Sequence, residues 1–367
     1  MMKTASFSAL STLPELWQTL ASETRDIWLY GMGNGADKIL AVLEERNITV
    51  KGVFASDGFV RGQVFHDMPV RAFSEVCALY PAGECVVLLC FGSARPDVLA
   101  LVENVATRYE LYVPDVPVCG TELFDKSYFL AHQDALADAR ECLADAASKQ
   151  LFDLALAYKI TGRLDLLKAA VSPVGAARDI LSLSDVHHMI DLGAYNGDTV
   201  REMLAIAPLK TAIAAEPDRR NFKKLSAWAE GVEGITVTCH RAAISDTVGL
   251  SPFDASGNRN AGLATGRETL LSAVETTTVD LLAGKGPVDY IKYDVEGAEA
   301  AALRGSKGVI AREMPRLKVA CYHRSEDLFT LPLLLKEIAP DHDIYLVRER
   351  SLPLWDLDLL AMPRPKM

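Results

Sequence analysis

Short apolar runs, several of them closed by glycine or an acidic residue, recur along almost the whole chain, and stretches of helical period separate most of them. This alternation constrains the fold more than any other feature. The runs fall at 26–30, 48–54, 86–91 and 111–113, and again at 188–192, 211–215, 235–240, 288–293, 317–322, 344–347 and 357–361. Between the first two, Ile39, Leu40 and Leu43 share one helical face. Strands alternating with helices imply right-handed βαβ units and parallel sheets. The last two runs lie too close for a crossover helix, which predicts an antiparallel pair at a sheet edge. Between about 120 and 170 no strand pattern occurs. Leu136, Leu143, Leu151, Leu154 and Tyr158 follow near-helical spacing there, and Val171-Ser172-Pro173 ends it. The expected organisation is a smaller α/β domain over 1–118, a helical connector over 119–172 and a larger α/β domain over 173–367.

Composition narrows the partners. The 367 residues are 50% hydrophobic and 24% charged, enough apolar surface for ordinary cores and too much for a chain that stays unfolded. A net charge of −11 argues against a general nucleic-acid binder, which needs a basic footprint. The run 86–91 is far too short to cross a bilayer, so no membrane partner is expected. Seven cysteines, an odd number with no C-x-x-C pair, fit a reducing compartment. Ser6, Ser8, Ser11 and Pro14 interrupt the start of the chain where an export leader would be apolar, so the expected location is cytoplasmic.

The chemistry concentrates in four strand-end segments. At 189–199 the sequence MIDLGAYNGDT carries an apolar strand into Asp191, then Gly193 and Gly197 four apart, then a helix. Glycines there let the backbone turn tightly beside a ligand. The spacing is neither G-x-G-x-x-G nor a phosphate loop, and Asp191 and Asp198 suit a cationic ligand better than a pyrophosphate. Glu216, 25 residues after Asp191, closes the next strand, where a carboxylate can accept two ribose hydroxyls. The segment AAISD follows at 242–246, and YIKYDVEGAE at 290–299 brings three more carboxylates to the same edge.

The segments DLGAYNGDT, AAEPD, AAISD, TTTVDLL, IKYDVEGAEAAAL and ACYHRSEDL occur in the order found in the FkbM family of S-adenosylmethionine-dependent methyltransferases, which residues 191 to about 361 resemble. The resemblance implies a class I methyltransferase sheet of seven strands in the order 3-2-1-4-5-7-6, S-adenosylmethionine as cofactor, and methyl transfer to a hydroxyl of a small molecule, a sugar among the candidates. It places Asp191, Gly193, Ala194, Asn196, Gly197 and Thr199 at the methionine and ribose end. It puts Glu216 on the ribose, Pro217 and Asn221 near the adenosine, and Ala243, Ile244 and Ser245 beside the adenine. Asp294 falls beneath the transferring methyl group. An alcohol must lose its proton to attack, so a base is needed, and the candidates are Asp294 first, then Glu296 and His323. Those three residue types also suit a divalent ion, but no metal is expected.

In the first domain Gly31-Met32-Gly33-Asn34-Gly35 follows a strand and opens a helix, with Asp57 beyond it. The third glycine comes too early for a dinucleotide fingerprint. A Rossmann-like scaffolding, substrate-presenting or dimerising role is expected, so a homodimer is one assembly it allows. The alternatives are an NAD(P)-dependent oxidoreductase built on this domain and a non-catalytic nucleotide-binding protein. Arg259, Arg267, Arg304 and Arg324 are candidates to meet an acidic acceptor, and the polar segment 251–267 is a candidate lid.

Overall fold

A computed structural model describes residues 6–254 and 271–365. The first sheet contains β1 (Asp26–Tyr30), β2 (Gly52–Ala55), β3 (Val64–Phe65), β4 (Met68–Ala72), β5 (Cys85–Leu89) and β6 (Glu110–Tyr112). Its order is β3-β4-β2-β1-β5-β6, parallel except for β3. Every residue of β2 and β5 is buried, as expected of parallel strands covered on both faces. The β3–β4 hairpin is an addition to the expected strands. It turns at His66 and Asp67, both with positive φ (44° and 62°).

The second half is built on β7 (His188–Leu192), β8 (Thr211–Ala215) and β9 (Thr236–His240). A small side sheet follows, of β10 (Ala243–Ile244), β11 (Gly249–Asp254) and β12 (Leu271–Thr277). The main sheet then resumes with β13 (Tyr290–Tyr293), β14 (Arg316–Ala320), β15 (His342–Arg348) and β16 (Leu357–Pro363). The seven-stranded order is β15-β16-β14-β13-β7-β8-β9. Counted from β7, this is the expected 3-2-1-4-5-7-6. β16 runs antiparallel to both β14 and β15. Strand order reverses between β7 and β13, and open α/β sheets bind ligands at such a point.

The helical segment is no tether. Helix Ala146–Thr161 starts on the Asp145 carboxylate, which accepts the Ser148 N–H at 2.7 Å, and ends at Gly162 with φ 63°. From Leu151 to Thr161 every residue is buried, the charged Asp153 and Lys159 included, which pair with Arg140 and Asp115. One hydrophobic cluster joins Trp28, Tyr30 and Phe54 of the first half to Phe152 and Tyr158 of this helix and to Leu317 and Leu359 of the second. Main-chain bonds tie it to both halves. Val113 N–H donates to Gly162 O at 2.7 Å, and Ala144 N–H to Ile344 O at 2.7 Å. Among the described residues no helix is long and apolar enough to cross a membrane.

Candidate functional site

A cleft of about 460 Å³ opens at the carboxyl ends of β7, β8, β13 and β14. Its floor is a row of charge crossing the sheet. Asp191 on β7 stands opposite Lys292 on β13, and Lys292 stands opposite Lys318 on β14. Lys292 Nζ lies 3.5 Å from Asp191 Oδ1 and 3.3 Å from Asp294 Oδ2, and Lys318 Nζ lies 3.1 Å from Asp358 Oδ2. Burial opposes the charge on Lys292, but Asp294 and Asp191 outweigh it and hold the ammonium well above its usual pKa. Burial raises the Asp191 carboxyl, and Lys292 limits the rise. Lys292 was not among the expected site residues. Its one sequence signal is a lysine in the middle of an otherwise apolar strand.

Of the residues expected to hold the cofactor, Gly193, Thr199, Glu216, Pro217, Asn221, Ala243 and Ile244 line the cleft. Five others are not part of its lining. Asp191 is wholly buried, facing Lys292 instead of solvent. Ala194 is sealed in a small core with Ala214 and Leu225. Asn196 accepts from Arg201 at 3.1 Å, Gly197 is covered by the Trp228 ring, and Ser245 turns to Asp246.

Glu216 is pinned by its surroundings. Its Oε2 accepts the Tyr195 N–H at 2.8 Å and its Oε1 the Asp218 N–H at 2.9 Å. Burial pushes its pKa up to about 7, against the pull of those two N–H groups. Asp218 caps helix Arg219–Ala229, accepting the N–H groups of Arg220 and Asn221. The cap sets Asn221 into the cleft wall, where its Oδ1 is buried without a hydrogen-bond partner. A buried carbonyl oxygen in that state calls for a donor from a ligand.

Asp294, Glu296 and His323 all line the cleft and meet around the imidazole. His323 Nε2 is 3.5 Å from both Asp294 Oδ1 and Glu296 Oε2. Glu299, behind the ring, brings Oε1 to 3.0 Å from Nδ1. Burial raises Asp294, but Lys292 and His323 outweigh it and hold the carboxyl below its usual range. Burial works against a charged His323, and Glu299, Glu296 and Asp294 reverse this, pushing it up to about 10. Glu296 is pushed up to about 7, chiefly by burial. Its backbone sits at φ 52°, a strained conformation for a side chain of this kind.

The first half supplies the opposite wall through Gly92, Ser93, Ala94 and Val118. Ser93 pairs with Leu352 in both directions, at 2.8 and 2.9 Å. Trp355 packs so tightly on Gly92 that a Cβ there would meet the ring at 2.1 Å. Arg348, 1% exposed, holds this loop by donating to Leu167 O at 3.1 Å, Ala170 O at 2.6 Å, Ser351 O at 2.5 Å and Pro353 O at 3.0 Å. The inner face of the loop presents Glu349, Ser351, Trp355 and Asp356.

The sequence model of the methyltransferase FkbM domain matches residues 191–336. This segment is an FkbM methyltransferase domain. The solved structure of methyltransferase FkbM from Methylobacillus flagellatus KT superposes with a TM-score of 0.72 at 18% identity, covering 97% of this chain and 98% of that one. At that identity the likeness speaks for the fold, and it extends over both halves. An rRNA methylase from Streptococcus thermophilus matches 53% of this chain and 98% of its own, at TM-score 0.33 and 14% identity. Aeropyrum pernix fibrillarin, solved with natively bound S-adenosyl-L-methionine, matches 49% of this chain and 68% of its own, at TM-score 0.32 and 12% identity. No curated protein matches in sequence.

Outside the FkbM domain, the glycine loop of the first half is covered by protein at Gly31 and Gly35 but open at Gly33. The Phe91 ring takes the space a Cβ at Gly31 would need, approaching to 2.4 Å. Asp57 accepts the Ser74 N–H at 2.9 Å. Within the FkbM domain, Arg304 pairs with Asp246 at 3.2 Å, and Arg324 donates to Gly297 O at 2.8 Å. Arg259, Arg267 and most of the candidate lid lie outside the described residues.

Proposed function

We propose that the protein transfers a methyl group from S-adenosylmethionine to a hydroxyl of a small polyhydroxylated acceptor such as a sugar. The observation that carries this reading is the single cleft running from pinned Glu216 and partnerless Asn221 to the Trp355 wall. Both ends fit the groups they would meet. Glu216 presents a carboxylate to ribose hydroxyls, and Asn221 Oδ1 offers an acceptor to a nucleoside N–H or O–H. Trp355 gives an apolar face, and Glu349, Ser351 and Asp356 give hydrogen-bond acceptors around it, a combination suited to a sugar ring.

S-adenosylmethionine, when bound, supplies a methyl group on a positively charged sulfur. The chain's task is to align the acceptor oxygen, exclude water and take the hydroxyl proton. Asp294 is engaged by Lys292 and stands 3.5 Å from the Tyr322 hydroxyl. Glu296 is freer. Its Oε2 makes no hydrogen bond, and its strained backbone holds it at the cleft. Glu296 is therefore assigned the proton, ahead of Asp294 and His323. Glu296→Gln is expected to lower turnover by about 10²–10³-fold while leaving cofactor affinity within about twofold. The rate of labelled methyl transfer checks it, with the acceptor identified by mass spectrometry of extracts. Unchanged turnover would return the role to Asp294.

Calorimetric titration with S-adenosylmethionine, S-adenosylhomocysteine and NAD tests the cofactor. Neither sulfur compound binding to the folded chain would overturn the proposal, and NAD binding would favour an oxidoreductase. Affinity should also depend on pH. Ionised Glu216 is the form that accepts two hydroxyls, so binding lowers its pKa, and affinity is lost as pH falls through about 7. Between about pH 8 and pH 6 the expected loss for S-adenosylhomocysteine is roughly tenfold, and Glu216→Gln should flatten that profile.

A further inference from the structure

We propose that Asp294, Glu299 and one ring nitrogen of His323 bind a divalent cation of the Mg²⁺ or Mn²⁺ type at the inner edge of the cleft. Donor atoms from these three residues all lie within 4.8 Å of one another. Ligands about 2.1 Å from one octahedral ion sit roughly 3–4.2 Å apart, so only small side-chain movements separate the arrangement from a coordination shell. Two carboxylates and a neutral imidazole make a hard-to-borderline set, suited to such ions. The surrounding carboxylates hold the His323 ring protonated, so the cation takes the place of one ring proton, which is released to solvent.

A second observation points to a ligand. His323 and Glu299 are both fully buried, at 0% exposure. The ring nitrogens meet carboxylates only as ion pairs at 3.0–3.5 Å, with no aligned hydrogen bond, and Glu299 Oε2 has no hydrogen-bond partner. The 3.0 Å approach of Nδ1 to Glu299 Oε1 is close in distance but not aligned as a hydrogen bond. Buried polar atoms this deep ordinarily find partners. The carboxylate is also oriented from behind, because Glu299 Oε1 accepts the Val295 N–H at 2.9 Å. Such outer support is what fixes metal ligands in place. On the other side, Asp294 and His323 reach the cleft, where an acceptor hydroxyl could complete the shell. A cation there lowers the pKa of the oxygen it holds, and Glu296, not among the three ligands, remains to take the proton.

The inference rests on the methyltransferase reading only for what the cation does, and its test separates the two. Chelator-treated full-length protein is titrated with Mn²⁺, free Mn²⁺ being read by electron paramagnetic resonance. One Mn²⁺ per chain is expected. Glu299→Gln and Asp294→Asn should each weaken it about tenfold or more, and the surface variant Asp179→Asn should not. No stoichiometric binding to wild-type protein with a native circular dichroism spectrum would overturn the site. So would binding unchanged in Asp294→Asn, which decides the matter even if Glu299→Gln does not fold. S-adenosylhomocysteine is titrated in parallel in chelator. Its binding without Mn²⁺ binding sinks the cation alone, and Mn²⁺ binding without it sinks the methyltransferase reading alone.

Discussion

Gly193→Ala is expected to abolish S-adenosylhomocysteine binding and to destabilise the second half of the chain. A Cβ at this position would lie 1.8 Å from the carbonyl oxygen of Asp294 and 2.9 Å from its carbon. The obstacle is backbone, so no rotamer change relieves it. The residue also sits at φ +80°, where an alanine alone costs about 1–2 kcal/mol. The Asp294 N–H donates to Leu192 O at 3.1 Å, so the ends of β7 and β13 would have to part at the mouth of the cleft. We expect affinity to fall by about a hundredfold or more, ~2.8 kcal/mol, together with a lower melting temperature. Gly197 gives the contrast. Its added Cβ would meet the Trp228 ring at 2.4 Å, a side chain that can move. Calorimetry on both variants checks the ranking, and equal affinities would mean the strands are not this close.

Lys292→Met is expected to destabilise the fold by about 3–5 kcal/mol, the usual cost of stripping one partner from a buried ion pair. Lys292 lies between Asp191 and Asp294, and its removal leaves the wholly buried Asp191 without a cation. Urea denaturation measures the loss. Adding Asp191→Asn to the same chain should recover part of it, because the stranded charge is then gone. An unchanged midpoint in Lys292→Met would show that the pair does not form.

Most of the second sheet was legible because its strands are short apolar runs, three of which (β7, β8 and β13) run straight into glycine or an acidic residue. The run 188–192 coincides with β7, and the expected antiparallel pair is β15 with β16. The β3–β4 hairpin was hidden because its two-residue turn, His66-Asp67, lacks the usual Asn-Gly pattern and because Pro69 lies inside β4. The side sheet was hidden by its setting, since β11 and β12 flank a long polar stretch. In the site, Glu216 and Asn221 were readable because a strand end and a helix cap fix them locally. The Trp355 wall was not. It depends on the buried Arg348 joining a loop to the helical segment, and on Ser93 reaching over from a different sheet. Contacts between distant segments leave no periodic trace in sequence. Lys292 was in plain view but read as a strand residue, because its meaning depends on register with Asp191 across the sheet.

Helix Ala146–Thr161 has a consequence for how such a chain can be handled and inherited. From Leu151 onward it is buried on every side and has no face to offer water. Cutting the polypeptide beside it would leave a largely apolar rod, with the buried charges of Asp153 and Lys159, exposed on one fragment and a matching trench on the other. The two sheets therefore share one cluster through this helix, while each keeps a core of its own. A partner fused or exchanged at this point would have to cover that shared cluster with a rod of its own.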